Sequence, residues 1–227
     1  LALKKDSTFE LRYFGFHGFA AIARIILAAN GAKNFNVIPA DWAAEKPLAP
    51  FGVMPLLREI SADGKTTINI AESDTIERYL SKKFGLAGDN IFEETVINSF
   101  ASNTSSLMLQ LFMKYYVVKD PAQKAEAKKE LLSGAVPTWV KLNEEHLVAN
   151  GSNGHYVGNK TTIADIKTAH VIGIVKSLQE DAITEESTPA LLKVKATVDS
   201  IPGFKAWRAT DEYKELSERT FSALGFA

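Results

Sequence analysis

Strand-like patterning in this chain of 227 residues ends near residue 70, which limits the fold to a small sheet carrying a long helical remainder. The segment TFELRYF (8–14) alternates Phe9, Leu11 and Tyr13 with Glu10, Arg12 and Phe14, the period-two pattern of a strand. FAAIARIILAANG (19–31) reads as a helix with Ile22, Ile25, Ile26 and Ala29 on one face, ended by Asn30-Gly31. KNFNVIP (33–39) reads as a second short strand. A strand–helix–strand order predicts a parallel pair. PLLREI (55–60) and TTINI (66–70) flank Asp63-Gly64, a hairpin-turn pair that predicts two antiparallel strands. SDTIERYLSKKFG (73–85) closes the region as a helix. Ser73 is its expected cap, Asp74 and Glu77 favour its positive end, Lys82 and Lys83 its negative end, and Gly85 its stop.

The remainder carries helical spacing only. Residues 92–118 place Val96, Ile97, Phe100, Leu107, Leu111 and Phe112 on such a pattern. A second helix is expected over 121–149, opening on Pro121 and kinked at Pro137. Thr162 and Asp165 have capping-box spacing ahead of an apolar helix to about Leu178. Two further helices should meet at Ile201-Pro202-Gly203. The contrast predicts two domains, 1–84 and 91–227, joined near GLAGDN (85–90).

Within PFGVMPLL (50–57), Pro55 interrupts an apolar run suited to a buried strand, because proline cannot donate to a ladder. Either a plain turn or a bend presenting the backbone of Met54 would account for it. Composition removes other chemistries. Without cysteine there is no disulfide, thiol nucleophile, zinc–cysteine site or iron–sulfur cluster. The net charge is −1, and lysines cluster only as pairs, such as Lys4-Lys5, Lys82-Lys83 and Lys128-Lys129; neither nucleic acid nor an anionic membrane is an expected partner. Arg24 breaks the longest apolar stretch, so no membrane span is expected. LALKKDSTFELRYF lacks the apolar core of a signal peptide, and the sequons at Asn103, Asn150 and Asn159 read as chance occurrences. The four histidines lack metal-ligand spacing.

Four motifs in this order, ELRYF, ADWAAEKPLAPFGVMPLL, AESDTIERYLSKKFGLAG and TTIAD, together resemble the glutathione transferases, in particular their sigma-like, tyrosine-type class. The resemblance spans nearly the whole chain. It implies a fold of the α/β plus all-α kind: a thioredoxin-like N-terminal domain (βαβ–ββα) that binds glutathione, then an all-helical domain with the electrophile site. It further implies a cytoplasmic homodimer that uses glutathione as co-substrate and conjugates it to small hydrophobic electrophiles.

The same resemblance assigns roles to particular residues. Tyr13, which alone could equally be a core aromatic, would donate its hydroxyl proton to the glutathione sulfur and favour the reactive thiolate. Trp42 and Lys46 would hold the glycyl carboxylate. Val53 and Met54 precede Pro55, whose peptide bond would be cis, turning the Met54 N–H and C=O toward the cysteinyl backbone. Glu72 would pair with the ammonium of the γ-glutamyl group, and the helix start at Ser73 would hold its carboxylate. The sequence departs from the class at Phe19, where an arginine is usual, at Val53, where a polar residue is usual, at Ser102, about where an Asp reaches the partner subunit's glutathione, and at Asn98, which replaces another acidic residue nearby. The departures leave a second reading open: a binding, storage or structural protein on the same fold. An isomerase using glutathione would share the site.

Overall fold

β1 (Thr8–Arg12) lies inside a four-stranded sheet of order β2-β1-β3-β4. It runs parallel to β2 (Asn36–Val37) and antiparallel to β3 (Leu56–Ile60), which pairs antiparallel with β4 (Thr67–Ala71). This computed structural model describes residues 7–223, with side chains to residue 220, so the Lys4-Lys5 pair and the start of the segment read for a leader lie outside the described residues. The second strand is shorter than its apolar pattern predicts, since Pro39 has no N–H to extend the ladder. Asp63-Gly64 forms the expected turn, with Gly64 at φ 68°.

Helix α1 (Ala21–Ala29) follows a short 3₁₀ turn at Gly18–Ala20, α2 (Trp42–Glu45) is a single turn in the loop after β2, and α3 (Ser73–Lys83) follows β4. Eight of the nine residues of α1, from Ala21 through Ala28, are buried, more than the single apolar face read from the sequence. The cause is a second partner. α1 packs against α3 and also against α9 (Pro202–Arg208), which returns from the far end of the chain. A Cβ on Gly203 would lie 2.3 Å from the Ala28 carbonyl oxygen, so only glycine permits this approach.

The chain accordingly divides into two units: one holds the described residues up to Phe84 and those from Pro202 onward, the other Gly85–Ile201. The segment from Pro202, expected in the helical domain, thus belongs with the sheet, and it forms α9 and α10 (Asp211–Ala223). Ser73 is not the cap of α3 but its first residue. Glu72 occupies the cap position at φ 70°, and its carbonyl accepts from the Thr75 and Ile76 N–H groups at 3.0 and 2.9 Å.

In the helical unit, α4 (Ile91–Leu111) is capped by the Asn90 side chain, α5 (Pro121–Ser133) by the Asp120 side chain. α6 (Ala135–Ala149) begins after a break at Gly134 rather than at a Pro137 kink. Pro137 sits in the first turn of α6, where the missing N–H removes no intrahelical bond. α7 (Ile163–Leu178) is the core element, packed against α4 and α8 (Pro189–Asp199). The expected capping box forms between Thr162 and Asp165. The buried Asp165 also accepts from the Tyr156 N–H at 2.8 Å, and so anchors the preceding loop. No helix of the described residues is long and apolar enough to cross a membrane. Asp165→Ala strands these buried donors and should cost about 2–4 kcal/mol, read as a lower urea midpoint at unchanged m-value.

Candidate functional site

The strand register gathers Tyr13, Met54, Pro55, Glu72 and Ser73 at one end of the sheet. Arg12 pairs with Val37 on one side and with Leu56 on the other, and Leu56 pairs with Ala71. At this level β1, β2 and β4 end and β3 begins. The residues just beyond it are Tyr13, Pro55 and Glu72, and continuing the β3–β4 register by one more step sets Met54 level with Ser73. The loop after β2 carries Trp42 and Lys46, and an Arg12–Glu45 ion pair ties it to this end. The Trp42 indole meets the Phe14 ring edge-on, with centroids 6.4 Å apart. The Lys46 stem runs along Gly52, which precedes Val53.

Tyr13 is buried between Phe14 and Phe16, each ring edge-on to it. Its hydroxyl accepts the Phe19 N–H at 3.2 Å. A Cβ on Gly18 would lie 2.6 Å from that hydroxyl, so the close approach of the 3₁₀ turn requires glycine. Burial raises the Tyr13 pKa, with the Phe19 N–H and the Arg24 charge opposing it. The phenol is therefore protonated at neutral pH. Among the described residues no acceptor takes its proton.

Arg24 is the residue that reading the sequence missed. It was visible there as a lone charge within an apolar helix, and counted only as an interruption. Its side chain is 0% exposed. The guanidinium donates to the carbonyls of Phe14, Phe16 and His17 and to Asn36 Oδ1, at 3.2, 2.6, 3.3 and 2.7 Å. It lies 5.7 Å from the centre of the Tyr13 ring. Burial pushes its pKa down to about 10, which leaves it charged at neutral pH. The arginine that the resemblance leads one to expect at position 19 is absent, but a guanidinium reaches this loop from α1. Phe19 contributes its backbone N–H.

The remaining candidates stand with their polar groups unengaged. The Met54–Pro55 peptide is cis, and among the described residues no hydrogen bond engages the Met54 N–H or C=O. The Lys46 ammonium and the Glu72 carboxylate have no ion partner there, and the Trp42 indole N–H has no acceptor. Glu72 is held in the left-handed region, a strain of about 1–3 kcal/mol that concentrates at ligand clamps. Ser73 is the first residue of α3, at the positive end of the helix dipole. Cationic, anionic and hydrogen-bonding groups thus lie on the segments that meet at the Tyr13 end of the sheet. In the helical unit, by contrast, Glu144, which lines a groove of about 480 Å³, caps α8: its carboxylate accepts from the Ala190 and Leu191 N–H groups. Ser102, on α4, is exposed.

Comparison with known proteins agrees with this architecture. The model of the glutathione S-transferase C-terminal domain matches residues 108–211. Glutathione S-transferase 1 of Ascaris suum is 31% identical over 205 residues, covering 88% of this chain and 95% of that protein. The hematopoietic prostaglandin D synthase of Gallus gallus is 29% identical over 201 residues, 88% of this chain and 94% of its own. The fold matches that of the Fasciola hepatica sigma class glutathione S-transferase with a TM-score of 0.77 at 24% identity, covering 91% of this chain and 99% of that one. The chain belongs to the glutathione S-transferase family.

Replacing Arg24 with Met leaves the Phe14 and Phe16 carbonyls and the Asn36 amide oxygen without their donor, while the His17 carbonyl keeps the Ala20 N–H. A loss of about 3–5 kcal/mol is expected in denaturant titration, and Arg24→Lys should recover only part of it, since an ammonium lacks the planar fork.

Proposed function

We propose that this protein binds glutathione at the open end of the sheet and conjugates it to small hydrophobic electrophiles, with Tyr13 activating the thiol. The observation that carries this reading is the Tyr13 hydroxyl, which accepts the Phe19 N–H and keeps its own proton free to donate. Donated to the glutathione sulfur, that proton favours the thiolate over the thiol, whose ordinary pKa is about 8.5. The thiolate attacks the electrophilic carbon, its proton goes to solvent, and the leaving group departs with the displaced electron pair.

In this reading Trp42 and Lys46 receive the glycyl carboxylate, the Met54 backbone ahead of Pro55 pairs with the cysteinyl residue, and Val53 flanks it. Glu72 takes the γ-glutamyl ammonium, while the helix start at Ser73 takes the carboxylate. The helical unit binds the electrophile. The relatives named prostaglandin D synthase make glutathione-dependent isomerisation a variant of the same site chemistry.

We further propose a cytoplasmic homodimer. Leu48 and Phe51 are 85% and 80% exposed in the sheet unit, and Phe92 on α4 is 82% exposed, which favours burial against a second copy. Sedimentation should give twice the mass of one chain, and a monomer at micromolar concentration would refute this part.

The catalytic reading is tested by Tyr13→Phe. The bound thiol must lose its proton, so the rate rises with pH through its depressed pKa and then levels. Without the tyrosyl donor this limb moves up toward about 8.5, and turnover near neutral pH falls about 10²-fold. The deficit shrinks as pH rises, because the free thiol then ionises unaided. An unshifted limb in Tyr13→Phe would sink the tyrosine mechanism. A stable wild-type protein that neither stays on glutathione–agarose nor turns over a general aromatic electrophile would instead favour the non-catalytic reading.

A further inference from the structure

The loop that bears on Tyr13 is held from behind by the end of the chain. His17 lies in that loop, one residue before Gly18. Its N–H donates to Thr220 Oγ1 at 2.7 Å, and its Nε2 lies 3.1 Å from Ser217 Oγ. Each hydroxyl spends its own proton within α10: Thr220 donates to the Leu216 carbonyl and Ser217 to the Tyr213 carbonyl. Both oxygens are thereby left able to accept, Thr220 from the His17 N–H and Ser217 from the imidazole in its Nε2–H tautomer. The imidazole is also packed against Tyr213 at 4.9 Å and Trp207 at 6.0 Å. On its other side the His17 carbonyl accepts from the Ala20 N–H at 3.1 Å and from Arg24 at 3.3 Å.

We infer that His17, clasped by Ser217 and Thr220 of α10, is a positioning residue for Tyr13. The clasp fixes the turn whose Phe19 N–H meets the tyrosyl oxygen, and so sets the direction in which the tyrosyl proton points. Its effect on chemistry runs through the loop alone, and it makes the last helix part of the thiol-activating device. The inference rests on the tyrosine reading above.

The test pairs Ser217→Ala with Thr220→Val, which removes both acceptors from an exposed helix while keeping its shape. Thr220→Ser, which keeps its oxygen, is the rescue control. In the double variant, hydrogen exchange across residues 14–20 should quicken about tenfold while the thermal midpoint stays within a few degrees. The pH limb of turnover should shift upward and kcat should fall about tenfold, as expected when a donor is misaimed, with KM for glutathione within about twofold. Thr220→Ser should behave as wild type. Unchanged exchange, or faster exchange with an unchanged pH limb and kcat, overturns the positioning role. If the wild-type protein itself ionises no bound thiol, the tyrosine reading fails first, and the positioning role falls with it. Tyr13→Phe in the wild-type background separates that failure from a failure of the clasp.

Discussion

A guanidinium sealed inside α1 is the interaction on which the rest of the site depends. Three carbonyls of one loop, those of Phe14, Phe16 and His17, point at Arg24, and β2 contributes Asn36. A buried cation is costly unless every proton finds an acceptor. The loop has little freedom left once it satisfies that demand. Its fixed course presses Gly18 against the Tyr13 hydroxyl and aims the Phe19 N–H at the same oxygen. One buried charge thereby does two things: it shapes the loop around Tyr13 and supplies positive potential beside the ring.

The sheet contributes the other half of the geometry. A single row of strand pairs, Val37–Arg12–Leu56–Ala71, brings four chain segments to one level, with Tyr13, Pro55 and Glu72 immediately beyond it. Backbone register thus brings the phenol, the Met54–Pro55 bend, the Glu72 carboxylate and the start of α3 to one end of the sheet, and the loop after β2 carries an indole N–H and an ammonium from that same end. Family membership and this arrangement point the same way.

What could be read in the sequence was what short-range chemistry decides. The alternation in TFELRYF, the Asp63-Gly64 turn, the Thr162–Asp165 box and the proline after Met54 each act within a few residues, and the structure contains all four. The Ser73 cap was misread by one residue because Glu72 adopts a left-handed backbone that its side chain does not advertise. The break of the long helix at Gly134 was assigned to Pro137, a residue that suits a first turn as well as a kink. Arg24 stood in plain view, but its acceptors are backbone carbonyls, which leave no mark in a sequence. The clasp on His17 joins residues 200 and 203 positions apart, beyond any local pattern.

The return of Pro202 to the sheet unit has a consequence for how the chain is made. The sheet unit is discontinuous: the whole helical unit, Gly85–Ile201, is inserted between its two pieces. During synthesis, β1 to α3 leave the ribosome before the helical unit, with the flank of α1 that α9 later covers still bare. That apolar flank must wait through the synthesis of 117 further residues before its partner exists. The helical unit, contiguous and built on local contacts, can fold in that interval. The unit synthesised first is thus the last to be completed.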